Sequence, residues 1–290
     1  MKDVNSWAYF PGCSLKDTGK DFERSGLAVM QALGQPLQEM ERWYCCGTMV
    51  SQTEDNLMQQ IGPVRDLIQA QDSGAEEVVA LCSMCFNTLK RANAFVTEDE
   101  SRLTKINNFM DREADYAGHV QVLHLLEVLR DHVGWEALES AVLHPLEGLR
   151  VACYYGCALL RPREVGIDVP DAPQVMQNFV EALWAEPVPF PFEGECCGAY
   201  QSVDHRDLVA ERTQRILNSA RLAGADVVIT ACPLCQYNLQ DLQKDLQTAF
   251  STYEEMPVIY FTQLAALALG VESGEIPSAL RAKLPLSDAG

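Results

Sequence analysis

Cysteine is the residue type in this sequence that is both abundant and regularly placed. Eleven occur, at 13, 45, 46, 82, 85, 153, 157, 196, 197, 232 and 235. The first five run as lone Cys13, a gap of 31 residues, the pair Cys45-Cys46, a gap of 35, then Cys82-x-x-Cys85. From Cys157 the same order returns with gaps of 38 and 34, through Cys196-Cys197 to Cys232-x-x-Cys235. One Cys-x-x-Cys alone is weak, fitting a zinc knuckle or a redox dithiol equally. Two of them, each preceded at matched distance by Cys-Cys-Gly and a lone cysteine, point to metal ligation. Buried cysteines acting as small hydrophobes have no reason to keep matched spacing.

The ligand count narrows the chemistry. A structural zinc or an ordinary cubane cluster takes four ligands, and five thiols per array is one too many for either. Adjacent side chains diverge, which chelates one small ion awkwardly but suits a cluster in which each sulfur binds a different iron. Gly47 and Gly198 follow the two pairs. They either let backbone N–H groups approach the sulfurs and tune their potential, or simply make a tight turn. Cys153 has no counterpart in the first half and reads as a buried strand thiol. His124 is either a donor or proton source beside a cluster or a satisfied core histidine. His119, His132, His144 and His205 share no metal-ligand spacing and read as surface residues. Lys16 and Arg161, shortly after the leading cysteines, either attract an anionic substrate or lie on the surface.

The flanking sequence repeats with the cysteines. YFPGC (9–13) answers YYGC (154–157), WYCCGTMVS (43–51) answers GECCGAYQS (194–202), and VVALCSMCFNTL (78–89) answers VVITACPLCQYNL (227–239). VQVLHLLEVL (120–129) likewise resembles PVIYFTQLAALAL (257–269). The chain is a duplication, with expected domains 1–145 and 146–290.

Strands and helices must alternate to position these blocks. In the first half the patterns predict strands at 7–10, 36–40, 77–81 and 120–123. A helix capped by Asp17 or Thr18 carries Phe22, Val29 and Leu33; a second carries Leu57, Ile61, Val64 and Ile68 and is broken or kinked at Pro63; a third starts near Phe86. The second half predicts strands at 150–154, 188–190, 226–230 and 258–261, with helices near 173–183 and 208–222. This is an α/β fold of two pseudo-symmetric domains, each a small parallel sheet flanked by helices. Its cysteines fall in loops at the carboxyl ends of strands, where such folds build sites.

Lysine and arginine number 22 against 41 acidic residues, a formal charge of −19. A surface that acidic repels phosphate backbones and anionic lipid, so nucleic acid and membrane surfaces are poor partners. It suits a basic protein partner, or simply solubility. The first residues do not form a signal peptide, and the apolar runs near 227–234 and 264–271 are too short to span a membrane. A cytoplasmic location is expected, where thiols stay reduced and eleven cysteines argue against a disulfide framework.

The duplicated Cys-x31-Cys-Cys-x35-Cys-x2-Cys array, with phrases such as YFPGCSLKDTGK (9–20) and CYYGCALLRP (153–162), resembles the cysteine-rich CCG domain. Nearly the whole chain is similar to HdrB, the CCG-domain component of heterodisulfide reductase, and to its bacterial relatives. The resemblance implies two noncubane [4Fe-4S] clusters facing one substrate cavity, where a disulfide is cleaved in one-electron steps. By position, Cys13, Cys45, Cys46, Cys82 and Cys85 would hold one cluster. Cys157, Cys196, Cys197, Cys232 and Cys235 would hold the other, with Cys46 and Cys197 nearest the chemistry. Some members bind zinc in one array. The resemblance departs at Ala158, where the methanogen enzyme carries a histidine, so an identical substrate is not implied.

Three functions follow as expectations. In the first the chain is the catalytic component of a multi-subunit complex that acts on a disulfide or sulfane sulfur. The sequence contains neither a Gly-x-Gly-x-x-Gly fingerprint nor a ferredoxin-type cysteine run. Electrons would then come through a ferredoxin-like iron–sulfur partner (HdrC-like) and a flavoprotein (HdrA-like). In the second it is an electron-transfer component of a quinone- or flavin-linked complex oxidising glycolate, lactate or succinate. The third is a zinc-stabilised scaffold.

Overall fold

A computed structural model describes residues 6–48, 56–244 and 254–284. Eight short strands form two sheets: β1 (Trp7–Phe10), β2 (Leu37–Glu39), β3 (Glu77–Ala80) and β4 (Gln121–His124), then β5 (Arg150–Tyr154), β6 (Glu186–Pro187), β7 (Val227–Thr230) and β8 (Val258–Tyr260). The first sheet is ordered β2-β1-β3-β4 and the second β6-β5-β7-β8, so the topology is duplicated along with the sequence. Every pairing is parallel. The central strand β7 (VVIT) is β-branched throughout and buried on both faces, as a parallel strand covered by helices must be.

Several local expectations shift. The helix after Cys13 runs Lys20–Ala32 and starts at Gly19 rather than at an Asp17 or Thr18 cap. Pro63 does not break its helix. It sits in the first turn of Ile61–Asp72, where a missing N–H has no intrahelical partner to lose. The strand expected at 188–190 lies two residues earlier, as β6, although the Val188 N–H still donates to the Val151 carbonyl at 2.8 Å. Pro187 is tolerated there because β6 is an edge strand. Two further helices, Glu100–Phe109 and Trp135–Ser140, carry no periodicity strong enough to be read.

The halves interlock reciprocally. Lys20–Ala32 of the first packs on Phe261–Leu269 of the second, and Val175–Ala182 of the second packs on Trp135–Ser140 of the first. Phe22 stacks almost parallel on Tyr260 with centroids 4.2 Å apart, and the Ser25 and Thr262 hydroxyls bond at 2.6 Å. On the reciprocal side Trp135 meets Phe179 edge to face at 6.4 Å. Closer to the cysteines, Asn87 donates to the carbonyls of Ala158 and Arg161 at 2.8 and 2.7 Å. A single apolar core therefore runs through both sheets.

Candidate metal centres

All ten repeated cysteines lie beyond the carboxyl ends of strands. Cys13 follows β1 in the short helix Gly12–Leu15, and Cys45-Cys46 sit in the loop after β2. β3 delivers Cys82 to the N-cap of the helix Ser83–Thr97, with Cys85 in its first turn. In the second half Cys157 follows β5, Cys196-Cys197 follow β6, and Cys232 caps the helix Pro233–Gln236 that carries Cys235.

Eight of the ten sulfurs form one linked series, and Cys157 and Cys196 pair beside it. Cys45 Sγ stands 4.0 Å from Cys13 Sγ, and Cys46 Sγ stands 3.4 Å from Cys85 Sγ. Cys85 in turn meets Cys82, while Cys235 meets both Cys197 and Cys232, and Cys157 pairs with Cys196. The two arrays touch through Cys82 and Cys232, whose thiols are hydrogen-bonded across the halves. The Ser83 N–H seals that junction by donating to the Ala231 carbonyl at 2.9 Å. Beyond the paired cysteines, Tyr200 approaches Thr48 from the opposite half.

These contacts also distribute charge. Donation from Cys45 and Cys85 pulls the buried Cys46 thiol well below its ordinary range and raises both donors. Cys232 is lowered in the same way by Cys235 and Cys82. Cys196 falls to about 6, first through donation from Cys157 and then through the Gly198 N–H, 3.3 Å from its sulfur, and the nearby Arg212. Both glycines after the pairs have positive φ, +71° at Gly47 and +85° at Gly198, so each makes a tight turn. In each half that turn also brings the glycine N–H to the first sulfur of the pair.

Five free thiols per array, several of them buried and sharing protons, form a donor set that soft metal centres displace protons to occupy. Among the described residues, no three His, Cys, Asp or Glu side chains are arranged to hold a single metal ion. Five thiols in each array exceed the four ligands that one zinc takes, which fits iron–sulfur ligation.

Residues beyond the cysteines support the arrays and were not marked as site residues by the sequence. Gly12 and Gly156 precede the leading cysteines with φ of +70° and +64°. A Cβ on Gly12 would lie 2.7 Å from Cys85 Sγ, and one on Gly156 would lie 3.4 Å from Cys235 Sγ. Both glycines stand in the repeated YFPGC and YYGC blocks, which was the available signal. Thr88 and Asn238 occupy equivalent positions after each Cys-x-x-Cys and reach back to Cys46 and Cys197. Asp66, buried on Ile61–Asp72, accepts the Tyr44 N–H at 2.6 Å and so pins the loop entering Cys45.

Burial raises the Asp66 carboxyl to about 8. It therefore keeps its proton in the folded state over a range where the unfolded chain loses it. The linked stability is fully present below about pH 4 and is lost as pH rises toward 8. Asp66→Asn keeps the acceptor oxygen, and urea midpoints of the variant are expected to lose this decline. A slope unchanged by the substitution would exclude Asp66 as its source.

Cys153 is 1% exposed inside β5, where burial raises its thiol, and it contacts neither array. Cys153→Ser is expected to leave iron content unchanged, whereas Cys157→Ser lowers it. Iron loss in the first variant would identify Cys153 as the leading ligand. His124 is a core histidine: Leu126 N–H donates to its Nδ1 at 3.2 Å, so Nε2–H donates to the Leu81 carbonyl at 2.7 Å. Burial pushes it down to about 3, so it stays neutral. Lys16 is held by Glu23 and Glu39 at 2.6 and 2.5 Å, and Arg161 Nη1 donates to the Gly194 carbonyl at 2.7 Å. Local partners thus occupy both cations. The remaining histidines lie outside both arrays.

A cavity of about 460 Å³ opens beside Cys196, lined by Tyr200, Leu208, Arg212 and Arg215. No helix among the described residues is long and apolar enough to cross a membrane.

Known proteins resemble the chain along nearly its whole length. The membrane anchor subunit of 8-methylmenaquinol:fumarate reductase from Wolinella succinogenes is 35% identical over 93% of this chain and 94% of its own length. The HdrB component of the ferredoxin/F(420)H(2)-dependent CoB-CoM heterodisulfide reductase of Methanosarcina acetivorans is 28% identical over 92% of this chain and 90% of its own. The crystal structure of a hypothetical protein from Helicobacter pylori superposes with a TM-score of 0.72, covering 97% of this chain and 51% of that one. At 11% identity that is a likeness of fold alone. The CCG cysteine-rich domain matches residues 7–90 and again 151–240. With both arrays inside those two matches, the chain belongs to the CCG cysteine-rich domain family and carries the domain twice.

Proposed function

We propose that this chain is a cytoplasmic redox component, similar to HdrB of heterodisulfide reductase, acting on a disulfide or sulfane sulfur within a multi-subunit complex. The observation that carries the reading is the junction of two intact five-thiol arrays at Cys82 and Cys232. Cys13, Cys45, Cys46, Cys82 and Cys85 would hold one noncubane [4Fe-4S] cluster. Cys157, Cys196, Cys197, Cys232 and Cys235 would hold the second. Such clusters supply one-electron transfer and iron sites open to sulfur.

The chain's own residues do the rest. Cys46 and Cys197 are the buried members of their pairs and join each pair to its Cys-x-x-Cys. They are the catalytic pair in this reading. Ser83 and Asn87 fix the two arrays relative to one another. Electrons arrive through a ferredoxin-like iron–sulfur partner, with a flavoprotein behind it.

Anaerobically purified protein is expected to carry about eight irons with matching sulfide. Added thiol should then give a new EPR signal in the oxidised protein. Roughly one zinc per half without sulfide would end the cluster reading. A second reading, a quinone-linked electron-transfer component, is favoured by the 35% identity to a subunit of a menaquinol:fumarate reductase. In that case the irons are present but thiol leaves the EPR spectrum unchanged.

A further inference from the structure

We propose that the two arrays are held at unequal reduction potentials, the second higher than the first, and that Asn238 sets the difference. This rests on the reading that both arrays carry iron–sulfur clusters. Reduction adds negative charge to a cluster and its thiolates, so an N–H aimed at a ligand sulfur stabilises the reduced form and raises the potential.

Duplication makes the comparison internal. In CSMCFNTL (82–89) and CPLCQYNL (232–239), Thr88 and Asn238 stand at the same offset from the second cysteine of the motif. Both are buried, and each reaches the second sulfur of its half's Cys-Cys pair. They differ in how many protons they can give.

Asn238 has two amide N–H groups. Its Nδ2 lies 3.2 Å from the Cys197 carbonyl and 3.5 Å from Cys197 Sγ, so both acceptors can be served. The amide orientation is fixed by its neighbours: Oδ1 accepts from the Ser202 hydroxyl at 2.9 Å, and a flipped amide would set Oδ1 against the Cys197 carbonyl. Asn238 also lies in a π-helical turn, Tyr237–Asp241, whereas Thr88 lies in the unbroken α-helix Ser83–Thr97. Thr88 has one hydroxyl proton for two acceptors. That proton is shared between the Met84 carbonyl, 2.7 Å away, and Cys46, so the sulfur receives less of it than Cys197 receives from an N–H of its own.

The glycine N–H groups after the pairs serve both halves and cancel in the comparison. Arg212 does not cancel. Its Nε donates to the Cys196 carbonyl at 2.6 Å and places positive charge beside the second array, partly offset by Glu195 at 3.2 Å. It acts in the same direction as Asn238.

The experiment is an EPR-monitored redox titration of anaerobic protein whose iron content has been measured first. Single-array proteins made with Cys46→Ala or Cys197→Ala assign each signal. Wild type should show two separate midpoints. Exchanging the residues tests the cause. Asn238→Thr should lower the reduced-to-oxidised ratio of the second cluster about tenfold at fixed potential, equivalent to about 59 mV for one electron. Thr88→Asn should shift the first cluster upward and leave the second unmoved. Coincident wild-type midpoints overturn the proposal without any variant, which covers the case in which Asn238→Thr fails to assemble. Unmoved midpoints in iron-replete variants overturn the role of Asn238. Iron-free wild-type protein is seen at the first step, and it brings down the underlying reading and this proposal together.

Discussion

Cys46→Ala and Cys197→Ala, made separately, are each expected to abolish disulfide turnover, a loss of about a hundredfold or more, while the untouched array still assembles. The reason lies in electron counting. A disulfide takes two electrons, whereas an iron–sulfur centre ordinarily passes one. With a single working array the substrate would wait half-reduced for a second delivery, and two arrays that meet at Cys82 and Cys232 remove that wait. Each substitution takes away a buried sulfur that links its Cys-Cys pair to its Cys-x-x-Cys. Losses from residues that act as a unit do not add, so the double variant should be no worse than either single one. The assay is reduction of a candidate disulfide by an artificial one-electron donor, with EPR of the surviving array alongside. Substantial turnover in a variant shown to lack one array would mean that the halves work independently.

Gly12→Ala should cost the first array its iron, about half of the total, whereas Gly156→Ala should keep it. At Gly12 a Cβ would meet Cys85 Sγ at 2.7 Å, closer than real side chains approach, so the sulfur must leave its place. Left-handed backbone at a non-glycine residue adds roughly 1–2 kcal/mol. At Gly156 the same backbone strain applies, but the sulfur lies 3.4 Å away and needs to yield only slightly. A drop in melting temperature of a few degrees without metal loss is the expected result there. Iron analysis and thermal melts of the two variants separate the effects. Equal iron in both would show that Cys85 can move without harm to its array.

Much of this site was legible because cysteine spacing records both ligation and duplication. Strands such as Val227–Thr230 were legible too, because a fully buried parallel strand reads as an unbroken apolar run. The two-residue β6 was not, since an edge strand containing a proline carries almost no pattern. Pro63 misled because its effect depends on which turn of the helix it occupies, and that turn is set by the preceding 3₁₀ segment Leu57–Gln60. Thr88 and Asn238 look like ordinary helix residues in sequence. Their role depends on which carbonyl or sulfur lies opposite, a matter of packing between a helix and a loop far away in the chain. The resemblance implied arrays that face one another, but which residues meet escaped the sequence. Spacing gave two sets of ligands but not the fact that Cys82 and Cys232 are the members that meet.

The reciprocal helix packing between the halves has an evolutionary consequence. Lys20–Ala32 and Val175–Ala182, the long helices between the first two strands of each half, each pack on a helix that follows the last strand of the other half. Exchange of helices in both directions is how a self-complementary dimer would join its copies. A one-array chain pairing with its own copy, followed by fusion of the two copies, would leave this duplicated order of cysteines and strands. In such a homodimer any substitution appears on both sides at once, so the two centres are forced to be identical. Fusion released that constraint: after it, one copy could keep a hydroxyl where the other acquired a carboxamide, and symmetric partners could become donor and acceptor.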